Sequence, residues 1–220
     1  MIDQIALLES SRASPTSDPL VCVVDDEAEI RQNLCKLFRT ASLQVRAFSS
    51  AAEFLEQGYH QGPCCLVIDP NLPGMEDLDI QGILIDSSDQ VVCLTTRNDV
   101  PMCARAMKAG AVDYLIKPAD TETLLEAAKR ARARSHVVLS AKTARSAAQA
   151  KFNSLTAREF GVMYRVIAGL LNKQIAAELG IAEKTIKVHR GRVMRKTGVV
   201  SVAELVKLAI TAGITDPVRL

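Results

Sequence analysis

The sequence has no tryptophan, and aromatic residues make up only 4% of its 220 positions. With 48% apolar residues the chain can build real cores, but those cores must be aliphatic. No apolar run approaches the roughly 20 residues of a membrane-spanning helix, which excludes a helical membrane protein. The opening stretch MIDQIALLESSRASPTSDP lacks a basic start followed by an apolar block. It is therefore not read as a secretory signal, and a cytoplasmic protein is expected. The six cysteines, Cys22, Cys35, Cys64, Cys65, Cys93 and Cys103, form no CxxC pair and no cluster with histidine, so zinc-site spacing is missing. Lying mostly inside apolar runs, they read as small buried thiols; a redox sensor is the competing reading. Cys64 and Cys65 are neighbours, so on a strand they point to opposite faces and should not bridge.

Net charge is also scarce, only +2 overall, but this hides a segregation. Residues 1–128 hold 9 Lys and Arg against 20 Asp and Glu, a net of −11; residues 129–220 hold 18 against 5, a net of +13. Two solvated faces of opposite sign are the simplest explanation. A separation this complete points instead to an acidic module joined to a basic module made for a polyanion.

From Leu20 a regular alternation begins. Leu20–Val24, Cys64–Ile68 and Gln90–Thr95 are continuous apolar runs that read as buried strands, with Gln44–Phe48 and Tyr114–Ile116 as shorter ones. Between them, Ala28–Thr40 carries Ile30, Leu34, Leu37 and Phe38 at helical spacing, Ser50–Gln57 opens a helix with Ser50 as cap, and Pro101–Ala109 ends at Gly110. Strand and helix alternate about five times, the pattern of a parallel sheet covered on both faces. Ala119–Ala150 contains no Gly or Pro and reads as one long helix or as a helix plus a helical linker, capped by Asp120 or Thr121. Its weak stripe (Leu124, Ala128, Ala131, Val138, Ala141) suits either a coiled-coil seam or a solvated linker. After Phe152, Thr156–Gly169, Asn172–Leu179, Glu183–Thr197 and Ser201–Ala212 are helical stretches parted by Gly169, Gly180 and Gly198. The expected organisation is a flexible extension (1–19), an α/β doubly wound five-stranded parallel sheet (20–134), a helical linker (135–151) and a small all-α four-helix domain (152–220).

Asp25 and Asp26 follow the first strand, Asp69 follows the third, Thr95 ends the fourth and Lys117 follows the fifth. Carboxyl ends of parallel strands share one edge, where ligands bind, so these residues converge. Alone, a strand-end aspartate is a turn residue; the set of five is a chemical constellation. Three close carboxylates repel unless a cation lies between them, and oxygen ligands suit Mg²⁺. A carboxylate there can attack a phosphoryl group, with a lysine and a threonine hydroxyl to hold its oxygens.

The segments VCVVDDE, LVIDPNLPG and VVCLTTRNDVPMCARAMKAGAVDYLIKP resemble the receiver domain of two-component response regulators, the CheY-like fold. The resemblance implies Asp69 as the residue phosphorylated by a sensor histidine kinase. It puts Asp26, Asp69 and the Asn71 carbonyl on Mg²⁺ directly, with Asp25 acting through water. It makes Thr95 the switch hydroxyl, Tyr114 the aromatic switch, Lys117 the phosphate-pairing cation and Lys117-Pro118 a cis peptide. The sequence departs from the family in Pro70, which removes a backbone donor beside the site, in Thr96 where a smaller residue is usual, in Asp77, and in the irregular stretch Gly74–Gln90. An atypical receiver working without phosphorylation, as a constitutive or otherwise regulated transcription factor, is the alternative these departures raise.

In the basic half, Asn172–Leu179, a glycine turn and Glu183–Thr197 have helix-turn-helix spacing. Lys184, Lys187, Arg190, Arg192, Arg195 and Lys196 crowd the second helix, while Ile186, Val193 and Met194 face inward. Six cations with no acid after Glu183 would repel one another without an anionic partner such as phosphate. The stretch from Ser154 to Ala209 resembles the LuxR-type helix-turn-helix of the NarL/FixJ subfamily. The resemblance implies a recognition helix at Glu183–Thr197 in the major groove of double-stranded DNA, Lys187 and Val188 on base edges, and Lys184, Thr185, His189, Arg190, Asn172 and Lys173 on phosphates. It makes Ser201–Ala212 the contact of a homodimer on DNA and RNA polymerase a further candidate partner. Gly191 departs from members that place a base-contacting cation there.

Two other readings fit less well. A haloacid-dehalogenase-type phosphotransferase needs a second aspartate two residues after the first, but position 71 is Asn; no enzyme is expected. An autoinducer sensor with the same tail does not explain the acids at the strand ends.

Overall fold

The computed structural model describes residues 18–57, 60, 62–73 and 88–214. The expected flexible extension lies, up to residue 17, outside the described residues, as does residues 74–87 of the irregular stretch, including Asp77. The described chain divides into two units, one ending at Leu139 and one beginning at Ser140.

In the first unit β1 (Leu20–Val24), α1 (Ala28–Thr40), β2 (Gln44–Phe48), α2 (Ala51–Gln57), β3 (Cys64–Ile68), β4 (Gln90–Thr95), α3 (Val100–Ala109), β5 (Asp113–Ile116) and the start of α4 (Thr121–Asn153) follow in order. All pairings are parallel, in the order β2-β1-β3-β4-β5. Strands β1, β3 and β4 are central and buried throughout, because a strand covered on both faces is apolar at nearly every position; only Gln90 and Thr95 at the ends of β4 are polar. Side-chain alternation splits them cleanly. Leu20, Cys22, Val24, Cys64, Leu66, Ile68 and Cys93 pack with Phe54 of α2 and Ala106 of α3. Val21, Val23, Cys65, Val67, Val92 and Leu94 pack with Leu34 and Phe38 of α1 and Leu124, Ala127, Ala128 and Ala131 of α4. Cys64 and Cys65 therefore enter opposite cores. All six thiols are free, and only Cys103 is not buried. Burial pushes Cys65 well up and Cys93 to about 12, so these thiols behave as apolar residues.

Helix ends follow local chemistry. The Ser50 Oγ accepts from Glu53 N at 3.1 Å, so Ser50 precedes α2 as its cap. Asp99 caps α3 through Met102 N at 2.9 Å, which starts that helix one residue before Pro101. The Asp120 carboxylate accepts from Thr123 N at 2.9 Å and starts α4. That helix runs unbroken for 33 residues. Ser135 Oγ accepts from Cys64 N at 2.9 Å, whereas Ala148 and Phe152 belong to the core of the second unit. Residues 136–147 are exposed apart from half-buried Leu139.

The second unit adds α5 (Ala157–Ile167), α6 (Asn172–Leu179), α7 (Glu183–Thr197) and α8 (Val202–Thr211). Thr156 and Glu159 form a reciprocal capping box at the start of α5. Gly180 and Gly198 take left-handed conformations, φ 65° and 71°, that end α6 and α7. Val162, Met163, Ile175, Ile186, Val193 and Leu205 fill the core.

Candidate functional site

The acidic constellation is assembled by strand register. Val24 and Ile68 are paired across β1 and β3, so the next residues, Asp25 and Asp69, emerge side by side. Thr95 pairs with Ile116 across β4 and β5, and Lys117 follows with its N–H donating to Thr95 O at 2.7 Å. Lys117 Nζ then reaches both acids, donating to Asp25 Oδ2 at 2.5 Å and Asp69 Oδ2 at 3.0 Å. Burial alone would lower the Lys117 pKa, but the two carboxylates outweigh it and hold it above the ordinary lysine value. The peptide Lys117-Pro118 is cis.

Of the three expected carboxylates, Asp25 and Asp69 are brought together directly. Among the described residues no three His, Cys, Asp or Glu side chains are grouped so that they could hold a metal ion. Asp25 and Asp69 are buried and joined by Lys117, whose ammonium relieves their repulsion, whereas Asp26 is exposed. The donor set still fits a hard divalent cation: two buried carboxylates against one lysine leave a negative charge, and every candidate ligand is oxygen.

Asn71 does something that the sequence did not disclose. Its backbone N–H donates to Asp69 Oδ1 at 2.9 Å, and its side-chain Nδ2 donates to the same oxygen at 3.2 Å and to Thr95 Oγ1 at 2.7 Å. The amide thus ties the buried Thr95 hydroxyl to Asp69. An Asp-Pro-Asn turn was the only available signal. Arg31 was also missed: its Nη1 donates to the main-chain oxygen of Asp25 at 2.6 Å, a link between α1 and the strand end. Tyr114 is half-buried, with its hydroxyl 3.5 Å from Arg97 O. Of the departures, Thr96 is exposed while Pro70 is buried.

On the basic side, Ile181 N donates to Ala176 O at 3.1 Å across the Gly180 turn, fixing the angle between α6 and α7. Ile186, Val193 and Thr197 face the core, with Met194 half-buried beside them. Lys184, Thr185, Lys187 and Val188 are exposed, as is Lys173. Arg190 Nη1 donates to Asn172 Oδ1 at 2.6 Å, which joins two of the residues expected on phosphates. His189 is half-buried, and its Nδ1 is buried without a hydrogen-bond partner among the described residues. The picture of six unneutralised cations is corrected. Lys196 Nζ lies 2.6 Å from Glu159 Oε2 and 3.1 Å from Ser154 O, so it braces α7 against the α5 capping box. Its hydrogen bond, with help from Thr156, draws the Glu159 carboxyl down to about 2. Lys187 and Glu183 are 3.9 Å apart, one turn along the exposed face.

Residues 21–129 match the family model described as the response regulator receiver domain, and residues 153–209 match that of bacterial regulatory proteins of the luxR family. The chain is 39% identical over 209 residues to nodulation protein W of Bradyrhizobium diazoefficiens, covering 94% of this chain and 92% of that one. The chain belongs to the response regulators. This response regulator is also 36% identical to the transcriptional regulatory protein FixJ of Azorhizobium caulinodans, over 91% of its own length and 95% of that protein. Among solved structures it resembles response regulator StyR at 41% identity and a TM-score of 0.76, covering 88% of this chain and 99% of that one. Full-length FixJ from B. japonicum aligns at 34% identity with a TM-score of 0.52, over 91% and 100%. The response regulator is thus a transcription factor that combines a receiver domain with a LuxR-type DNA-binding domain.

Proposed function

We propose that phosphorylation of Asp69 by a sensor histidine kinase controls the dimerisation and sequence-specific DNA binding of this cytoplasmic regulator. The observation that carries it is the cluster Asp25–Lys117–Asp69–Asn71–Thr95, drawn from the ends of four strands. An Asp69 carboxylate oxygen attacks the phosphoryl phosphorus of a phosphohistidine; the O–P bond forms as the N–P bond breaks, and the imidazole recovers a proton. Lys117, already charged and 3.0 Å from Asp69 Oδ2, pairs with the added oxygens. Asp26, Asp69 and the Asn71 carbonyl would hold Mg²⁺ directly and Asp25 through water, and the ion supplies neutralising charge there. Phosphorylation adds about −1.5 to −2 charge. For Thr95 to turn toward it, its hydroxyl must leave the Asn71 amide, and Tyr114 follows. No turnover of a substrate is assigned to this regulator.

The domain reading proposed with it keeps 20–134 as receiver and 152–220 as the DNA-binding domain. Residues 1–19 are an extension and 135–151 a linker, whose solvated part is 136–147. Lys187 and Val188 meet base edges; Lys184, Thr185, His189, Arg190, Asn172 and Lys173 serve phosphates. A homodimer forms through α8, where Ile210 is 68% exposed, and RNA polymerase is a further partner. Pro70, which has no N–H to offer a phosphoryl oxygen, favours the second reading, an atypical receiver that works without phosphorylation.

Intact-mass spectrometry after incubation with acetyl phosphate and Mg²⁺ separates the two. One added phosphoryl group in the wild type, absent in Asp69→Asn, is expected. An unmodified wild type would favour the second reading.

A further inference from the structure

Helix α1 carries three cations, Arg31, Lys36 and Arg39. Arg31 and Arg39 stand two turns apart on one stripe; Gln32 and Lys36 stand one turn apart on the next, so the three cations face the same side. All four line an open groove of about 450 Å³ whose lining, apart from buried Cys35 and half-buried Arg31, is exposed. The hollow exists because its walls carry small residues, Ala28 at the start of α1 and Ala47 on β2. No acidic residue lines it. Glu53, an acid within electrostatic reach of Arg31, has its carboxylate engaged by Ser49 N at 2.7 Å and Ser49 Oγ at 2.6 Å. Lys36 and Arg39 are three residues apart, a spacing at which like charges destabilise a helix. None of the three cations belongs to an ion pair with another side chain among those identified in the described residues.

We propose that this groove binds a small oligophosphate, at a site away from the recognition helix and joined to the Asp69 cluster through the Arg31–Asp25 hydrogen bond. Its volume lies in the range of small-molecule sites, larger than a single halide or sulfate requires. Two guanidinium forks and an ammonium match the geometry and charge of linked phosphates better than a single carboxylate. The Gln32 amide adds a neutral donor, and the alanine walls leave room for the ligand's body.

The test is calorimetric titration of the full chain with inorganic tripolyphosphate at low salt. Saturable one-to-one binding is expected. The pair K36A/R39A should weaken it about tenfold or more, since each lost charged hydrogen bond is worth about a factor of ten. Ala47→Leu, which fills the hollow and removes no charge, should weaken it comparably. Both variants are checked for folding by circular dichroism melting; Arg31 is left intact because it also holds Asp25. Absence of saturable binding, or binding unchanged in folded K36A/R39A and Ala47→Leu, would overturn the proposal. Loss of binding in K184A/K187A instead would place the anion on the DNA-binding helix and overturn it equally.

Discussion

Lys117 sits between two aspartates that strand register forces together, and its side chain is as buried as theirs, 9% exposed against 3% for Asp25 and 10% for Asp69. Removing it leaves two buried carboxylates facing each other. Lys117→Met should lower the stability of the receiver unit by about 3 kcal/mol, measured by urea unfolding at neutral pH. Because the Lys117 pKa is raised, its contribution is complete below the ordinary lysine value near 10.4. It fades only as pH climbs through the raised value, so wild type and variant should converge in alkali and not at mild acidity. At this scale the sequence disclosed the participants but not all of their bonds. Strand-end position was enough to place Asp25, Asp69, Thr95 and Lys117 together. It could not show that Asp26 is exposed, because successive residues after a strand end follow a turn whose course the alternation pattern does not specify. Nor could it show the Asn71 amide reaching Thr95, a contact across 24 residues of sequence.

At the scale of elements, the central strands were legible because complete burial demands uninterrupted apolar runs, and the helix-turn-helix because Gly180 and Gly198 end its helices. The edge strands were less so: β5 is only half-buried and begins one residue earlier than its apolar pattern suggests. What stayed hidden was the brace between α5 and α7. The Thr156–Glu159 capping box was readable in principle, but Lys196 joins it from 37 residues away. Since Glu159 is held down to about 2, its stabilising effect is present above the usual glutamate value and is lost as pH falls from there toward 2. Acid titration followed by circular dichroism should show this loss in the wild type and not in Glu159→Gln, which should already be less stable at pH 7. Gly191 offers the opposite case. It lies inside α7 with open space where a Cβ would stand. Gly191→Ala should therefore stabilise the DNA-binding domain by about 0.5–1 kcal/mol, read as a rise in its melting temperature.

For the whole molecule, the charge segregation was the earliest guide, and the matched families fall on either side of it, residues 21–129 and 153–209. The long helix α4 was legible from its lack of Gly and Pro, yet which of its residues join a core was not, because alanine and serine serve buried and exposed positions alike. Ser135 and Ala148 are buried, while Val137 is 66% exposed. If the exposed Lys187 meets a base edge as proposed, Lys187→Ala should cost about 1–3 kcal/mol at one base pair and relax preference there. A uniform loss over all sequences would make it a phosphate contact instead. The most direct test of phosphorylation control follows DNA binding by the full chain before and after treatment with acetyl phosphate and Mg²⁺, in wild type and Asp69→Asn. Tighter binding on treatment in the wild type, with no change in Asp69→Asn, is the expected result. An identical response in both, or none in the wild type, would contradict control through Asp69.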